Sequence, residues 1–518
     1  MAQRHGEMTG FGVRQSPAPS LVALTVIAGL IISGFLPVLF IGMKGGLVLG
    51  DRYLLHVAGF TLLQAGLSTV LSLIAALPVA RALARRRFPG RGTIIRLLAL
   101  PLALPAIVAV LGIVEIYGNR GWLAGVFDIY GLQGIVLAHV FFNFPLAARM
   151  ILSRLVAIPP ESWRLSAQLG FRDRDVWRRI EWPQISAGLP AIAILIFLLC
   201  TASFTVVLTL GGGPGATTIE VAIYQALRLD FDPARAAGLA LVQLAICSIL
   251  VFLSLRLGGN MPAWQSFRMV SMRYDGISRL ARFGDFLAII MGLSIFIPPI
   301  AAVVLSGVAH LEVGADVAVA TIASLAIGVC SATLSLLICW PLAQAAARRR
   351  AWSRLSSLAV VAGLIMPPAV LATGWFLLLN RFSVFSVPAP LLVIAMSAVM
   401  ALPFVYTALA AAVADSARQH DRLCASLGIS GVVRFLRIDL PYLRRPLGFS
   451  FLMAAIVSLG DLTAITLFGS QGFTTLPAFI YRQMGSYRME TAAGTALILA
   501  LLTLALVMLA GRWSARND

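Results

Sequence analysis

Charged residues are scarce in this sequence. Only 12% of its 518 residues are Asp, Glu, Lys or Arg, whereas 59% are hydrophobic. Soluble domains carry about 25% charged residues. A shortage of this size along the whole chain argues against a water-soluble globular protein. It indicates that lipid surrounds most of the chain.

Lysine and paired cysteines are also missing. Lys44 is the only lysine and is followed by Gly45, so the Gly-Lys-Ser/Thr sequence of a P-loop is absent. The glycine-rich segment 211–215 contains no lysine either. The five cysteines form no CxxC pair, so we expect neither a disulfide framework nor a metal site. The sequence therefore predicts no catalytic residues, no nucleotide site and no bound cofactor.

The excess of basic residues requires its own explanation. The chain has 40 Lys and Arg against 21 Asp and Glu, which gives a formal net charge of +19. A nucleic-acid partner would need a solvated basic domain. Here the charges lie in short clusters between long apolar runs, as in the cytoplasmic loops of membrane proteins. We therefore predict no nucleic-acid partner.

Twelve stretches lack Asp, Glu, Lys and Arg, and a membrane-spanning helix needs about 20 apolar residues. They lie at 15–43, 57–80, 97–114, 129–148, 182–219, 236–255, 286–309, 317–347, 355–380, 382–414, 446–460 and 491–511. None shows the alternation of a membrane β-barrel. The first stretch exceeds the about 7–15 residues of a signal-peptide core, so we expect it to be retained. The prediction is an all-α protein with about twelve transmembrane helices.

Basic residues predict the orientation. With a cytoplasmic N-terminus, the outer loops hold 8 of the 40 Lys and Arg, which leaves 32 on the inner side. The arginine triplets 85–87 and 348–350 both fall on that inner side. The positive-inside rule then places both termini of this multi-pass protein in the cytoplasm.

The two halves of the chain repeat each other. The arginine triplets are 263 residues apart, and segments 104–112 and 366–374 match at an offset of 262. Six spans per half is an even number, so the repeat is parallel. The predicted organisation is a cytoplasmic tail (1–19), a first six-helix repeat (20–257), a cytoplasmic linker (258–283) and a second six-helix repeat (284–518).

Two predicted cytoplasmic loops share one pattern. In loop A (residues 161–183) and loop B (residues 421–441), Ala precedes Gly by three residues, Ile follows the Gly by ten, and Pro follows the Ile by three. Gly after a short helix permits a sharp turn, and Pro can begin the next helix. The residues of interest are Glu161, Arg164, Ala167, Gly170, Ile180 and Pro183 in loop A, and Arg422, Ala425, Gly428, Ile438 and Pro441 in loop B. A plain connecting loop inherited by duplication is the alternative interpretation.

These loops resemble the EAA loops of ABC-importer permeases, which dock in a cleft of the ATPase subunits. Loop B has the family's Ile-x-Leu-Pro sequence in full, whereas loop A has Trp182 in place of Leu. Arg164 and Arg422 stand where the family has its signature Glu, so charge pairing with the ATPase is open. The resemblance implies a type I permease fold in the bacterial inner membrane, two ATPase copies that use ATP, a periplasmic substrate-binding protein and alternating access.

Longer strings narrow the resemblance. The segments 131–150, 210–227 and 485–499 look like the fused permeases of thiamine and thiamine pyrophosphate importers. Ferric-iron permeases share the fused layout and are the alternative. A secondary transporter of the major-facilitator type also has six plus six helices, but the loop 81–91 lacks its Asp-x-x-Gly-Arg pattern.

Ionisable residues within spans are functional candidates. Asp461 lies in a predicted span, where the first repeat has Ser203. It either faces the translocation path and favours a cationic substrate, or is a buried carboxylate bonded to a neighbouring helix. The outer segment 210–234, with Glu220 and Arg228, is expected to be a loop that contacts a binding protein or an ordinary solvated loop.

Overall fold

The chain folds into long helices joined by short loops. The computed structural model describes residues 18–46, 51–126, 128–257, 275, 278–381, 387–469 and 472–514. The predicted tail 1–19 and linker 258–283 therefore lie largely outside the described residues. The helices are α1 (Ala18–Ile41), α2 (Arg52–Arg85), α3 (Arg91–Leu97), α4 (Leu100–Ala103), α5 (Ala106–Tyr117), α6 (Leu132–Val156), α7 (Pro160–Gln168), α8 (Asp173–Val176), α9 (Trp182–Ser186), α10 (Leu189–Thr201), α11 (Phe204–Leu210), α12 (Ile219–Arg228), α13 (Pro233–Arg256), α14 (Arg279–Ala309), α15 (Ala315–Arg348), α16 (Arg350–Ile365), α17 (Pro368–Arg381), α18 (Ala389–Ser426), α19 (Gly431–Arg434), α20 (Leu440–Leu459), α21 (Thr463–Phe468), α22 (Leu476–Gly485) and α23 (Met489–Ser514).

Eight of the described helices are long and apolar enough to cross a membrane: α1, α2, α6, α13, α14, α15, α18 and α23. The segments Asp173–Ser186 and Leu189–Thr201, bent by 48°, make a ninth crossing if they count as one span. The remaining three apolar runs are also helical. Two are broken into α4–α5 and α16–α17, and the third is α20, whose first half contains Arg444 and Arg445. The helical, multi-pass character is therefore confirmed within the described chain.

Proline breaks helices at two matched places. Pro105 and Pro367 each lie in a gap between two helices, before α5 and before α17. The residue before a proline is disfavoured in helical conformation, which ends the preceding helix there. Pro145 and Pro403 lie inside the continuous helices α6 and α18.

The first helix of each half packs on the other half. α1 contacts α15 and α17, and α14 contacts α2 and α5. The crossings are close because both use glycine: a Cβ added at Gly374 of α17 would overlap the carbonyl oxygen of Gly34 in α1, and one added at Gly112 of α5 would overlap that of Pro299 in α14. Small residues allow such close approach of helices in membranes.

Because the first helix of each half packs on the other half, each of the two apolar cores contains residues from both halves. One consists mainly of residues from α15, α17, α18, α20 and α23 together with α1, α12 and α13. The other consists mainly of residues from α2, α5, α6 and α10 together with Ile289 and Phe296 of α14. Separating the halves would expose both cores.

Candidate functional site: two loops and two helix breaks

Loop A turns sharply at Gly170, whose φ of +66° lies in the left-handed region. The N–H of Gly170 donates to the carbonyl of Ala167 (3.1 Å), and the N–H of Phe171 donates to that of Ser166 (3.0 Å). This pair of bonds is the usual glycine-terminated helix end. The chain then passes through α8 and a π-helical turn to Pro183, in the first turn of α9.

Loop B has the same backbone plan. Gly428 has a φ of +64°. Its N–H donates to the carbonyl of Ala425 (3.3 Å), and the N–H of Ile429 donates to that of Cys424 (2.9 Å). A short helix and a π-helical turn again lead to a proline, Pro441, in the first turn of α20. The repeated sequence pattern therefore encodes a repeated structure.

The predicted loop residues lie mostly at the surface. Exposed are Glu161, Arg164, Ala167, Gly170, Pro183, Arg422, Gly428 and Pro441, whereas Ile180, Ala425 and Ile438 are half-buried. Four leucines that the sequence analysis overlooked share this surface: Leu165 (56% exposed), Leu169 (61%), Leu423 (54%) and Leu427 (62%). Their spacing of four residues on one helix face was the available signal. Exposed apolar side chains clustered beside basic ones are typical of an interaction surface.

A buried ion pair anchors loop A to α2. Arg81 Nε lies 2.6 Å from Glu181 Oε2, and the Glu181 side chain has no exposed surface. The Arg81 guanidinium also lies over the ring of Trp177, 4.8 Å from its centroid. This contact fixes the π-helical turn of loop A against the membrane helix.

A larger charged cluster anchors loop B. Arg434, which is fully buried, donates from Nη2 to Asp421 and from Nε to Asp439 (3.4 Å). Arg348 of α15 donates to the two oxygens of the same Asp421, at 3.0 and 3.3 Å. Burial alone lowers the pKa of Arg434, but the hydrogen bond to Asp421 and both carboxylates raise it above its ordinary value. Arg434 is therefore held in its charged form by the carboxylates around it.

Asp461 lies in a break between α20 and α21. Its Oδ1 accepts hydrogen bonds from the N–H groups of Thr463 (2.8 Å) and Ala464 (3.4 Å), and its Oδ2 accepts one from Ser397 Oγ (3.5 Å). A carboxylate in this position caps the first turn of α21. Bonding to a neighbouring helix, one of the two predicted roles, is thus present in the structure.

Ser203 lies in the corresponding break between α10 and α11, where it is the residue before the first turn of α11. The break at Asp461 also lies beside another one, because a Cβ added at Gly460 would meet Cα of Pro105 at 3.5 Å. Broken helices that meet inside a membrane protein expose backbone groups, and such breaks form substrate sites in transporters.

Buried polar side chains lie beside the break between α10 and α11. Gln64 Nε2 donates to the carbonyl of Cys200 (3.0 Å), and Asn143 Nδ2 donates to Cys200 Sγ (3.3 Å). The Nδ1 atom of the buried His139 lies 3.3 Å from Ser68 Oγ. In the described part of the chain, its Nε2 has no hydrogen-bond partner. One of the two ring nitrogens of His139 therefore has a hydrogen-bond partner in the core.

The segment 210–234 was expected to be a loop that contacts a binding protein or an ordinary solvated loop, but its central part is a helix. Its helix α12 is largely buried, and Glu220 has no exposed surface. Glu220 Oε1 accepts a hydrogen bond from Gln243 Nε2 of α13 (3.3 Å). At the other end of α12, Arg228 donates to the last carbonyls of α21. Arg228 thus meets a helix terminus of the second half.

Comparison with known proteins agrees with this architecture. Residues 335–516 match the family model described as binding-protein-dependent transport system inner membrane component. The thiamine transport system permease protein of Brucella abortus (strain 2308) is 46% identical over 90% of this chain and 89% of its own. That of Salmonella typhimurium is 43% identical over 90% of both chains, and that of Escherichia coli K12 is 41% identical over 96% of this chain and 97% of its own.

Similarity of this extent covers both loops and both helix breaks as well as the membrane helices. The chain therefore belongs to the family of thiamine transport system permease proteins, which are inner-membrane components of binding-protein-dependent transport systems.

Proposed function

We propose that this chain supplies the whole membrane-spanning part of an ATP-driven importer for thiamine and its phosphate esters. The observation that carries the proposal is the pair of loops A and B, which have one backbone plan and expose leucines beside arginines. Each loop would bind one copy of a separate ATPase, and a periplasmic binding protein would deliver the substrate at the opposite end. ATP-driven approach of the ATPases would move the loops and rock the halves, so that access alternates between the two sides.

The same proposal includes twelve spans in two parallel six-helix repeats, with domain boundaries at 1–19, 20–257, 258–283 and 284–518. Matched features support it: the breaks at Pro105 and Pro367, and the glycine crossings at Gly112 and Gly374. α14 begins at Arg279, within the proposed linker. The excess of arginine on the side of loops A and B supports cytoplasmic termini.

The substrate is tested by uptake of labelled thiamine in a strain that lacks the gene, with and without the gene restored. Uptake that returns only with the gene supports the proposal. Unchanged uptake with the protein present in the membrane would contradict the thiamine assignment, and ferric iron would be tested next. Copurification of an ATPase distinguishes this importer from a major-facilitator-type secondary transporter.

The turn glycines of the loops provide a prediction about coupling. A Cβ added at Gly170 or Gly428 meets no atom within 4 Å, so only the left-handed φ opposes substitution. A β-branched residue there costs about 1–2 kcal/mol and distorts the turn. Gly170→Val and Gly428→Val should each lower uptake about fivefold or more, with protein amounts in the membrane unchanged.

The matched controls are Gly170→Asn and Gly428→Asn, because asparagine tolerates the left-handed region. Uptake close to wild type is expected for both. Normal uptake in both valine variants would show that the turn geometry does not matter for transport.

Asp461 allows its two roles to be separated. Asparagine caps a helix as well as aspartate does, but it carries no charge. If Asp461 also favours a cationic substrate, Asp461→Asn lowers thiamine uptake about tenfold, equivalent to about 1.4 kcal/mol, without loss of protein. Ser203→Ala is the control at the matched break. Wild-type uptake in Asp461→Asn would leave helix capping as the role of this carboxylate.

A further inference from the structure

Loops A and B share a backbone plan, and an ion pair between Arg81 and Glu181 holds loop A to α2, but two further matched positions differ in chemistry between the loops. Gly170 and Gly428 are 258 residues apart, so Trp163 corresponds to Asp421 and Val176 to Arg434. Trp163 and Val176 are buried in the apolar core of the first half. The corresponding pair in loop B is an ion pair between the fully buried Arg434 and the half-buried Asp421.

The arginine at the end of the second span is also used differently. Arg85 and Arg348 occupy matched positions. Arg85 pairs with Asp275 (3.1 Å) and Asp285 (3.7 Å), which precede or begin α14. Arg348 instead pairs with Asp421 of loop B (3.0 Å). In the first half this arginine therefore holds the start of the next half, and in the second half it holds the loop itself.

We infer that Arg434 is a positioning residue of the transport cycle, through which loop B is rigidly fixed to α15. The inference rests on the proposed docking of an ATPase at this loop. Arg434 joins Asp421 at the end of α18 to Asp439 in the π-helical turn, and Arg348 joins Asp421 to α15. Movement applied to loop B thus passes to three elements through directional charged hydrogen bonds.

The charge count of the cluster makes the inference testable. Arg348, Arg434, Asp421 and Asp439 contribute two positive and two negative charges. Removal of one charge leaves an uncompensated buried charge, which is far more disruptive than removal of a whole pair. Arg434→Gln and Asp421→Asn should each lower thiamine uptake. The double variant, which carries both substitutions, again has equal numbers of positive and negative charges in the cluster.

The experiment uses the full chain with its ATPase and binding protein in lipid vesicles. It measures the copurified ATPase, the stimulation of ATP hydrolysis by thiamine-loaded binding protein, and thiamine uptake. Arg434→Gln should keep the ATPase bound but lose about tenfold in stimulation and uptake, and the double variant should recover to within about threefold of wild type. The control is Arg418→Gln, which removes an exposed arginine of α18, the helix that contains Asp421, and should have no effect.

Two results would overturn the inference: Arg434→Gln with wild-type stimulation, or a double variant whose loss equals the product of the single losses. If Arg434→Gln is absent from the membrane, the double variant alone decides. Failure of the ATPase to copurify with the wild-type chain would instead contradict the proposed function. The two failures are therefore distinguishable.

Discussion

Alanine in place of Gly374 is expected to remove most of the protein from the membrane and thiamine uptake with it. The added Cβ would overlap the backbone carbonyl of Gly34, which cannot rotate away as a side chain does. Relief requires separation of α17 from α1, with loss of packing along the crossing. Overpacking in a dense core costs about 1–3 kcal/mol or more, and losses of this size lower protein abundance several-fold.

The measurement is quantitative detection of the protein in isolated membranes, together with uptake per molecule. Gly29→Ala is the matched control. Gly29 lies in α1, the helix that Gly374 contacts, but an added Cβ there meets nothing within 4 Å. Normal amounts of the Gly374→Ala protein would contradict the close crossing of α1 and α17. A loss for both variants would point to a general intolerance of α1 and α17 to substitution.

Methionine in place of Arg228 is expected to lower uptake about tenfold or more. The guanidinium donates from Nε to the carbonyl of Thr466 (3.2 Å) and from Nη2 to that of Gly469 (2.9 Å). Hydrogen bonds from charged donors contribute about 1.5–3 kcal/mol each, and both carbonyls would lose their partner in the variant. The contact joins the two halves, so its loss should change how they move relative to each other.

Lysine at position 228 should restore only part of the activity, because one ammonium group lacks the planar fork that serves both carbonyls. Arg120→Met, which removes an exposed arginine from the same predicted side of the membrane, is the control. Uptake and protein amount are measured for all three variants. Wild-type uptake by Arg228→Met would show that this connection between the halves is dispensable.

Local patterns account for what the sequence predicted correctly. Stretches without charge became helices, because only helices satisfy backbone hydrogen bonds within lipid. The glycine at the centre of each loop pattern adopts a left-handed conformation, as its position after a short helix indicated. The resemblance to importer permeases rested on long strings, and the family assignment was confirmed by relatives with more than 40% identity.

Contacts between segments far apart in the sequence could not be predicted from local patterns. Glu220 and Arg228 were expected in a solvated segment because they are charged and lie between two apolar runs. Glu220 instead bonds to Gln243 of α13, and Arg228 bonds to the carbonyls of Thr466 and Gly469 at the end of α21. No feature near residues 220–228 predicts these partners. The anchoring of loop B by Arg434 was missed for a similar reason, since the matched residue in loop A is the apolar Val176.

Because the first helix of each half packs on the other half, assembly of the first half must wait for synthesis of the second. About 330 residues separate the end of α1 at Ile41 from the start of its partner α17 at Pro368. At about 5–20 residues per second, α1 waits roughly 15–70 s for that partner after its own synthesis. Its described sequence contains no charged residue, so lipid alone can hold it during this interval. The newly synthesised first half thus stays incompletely packed in the bilayer until the second half is synthesised.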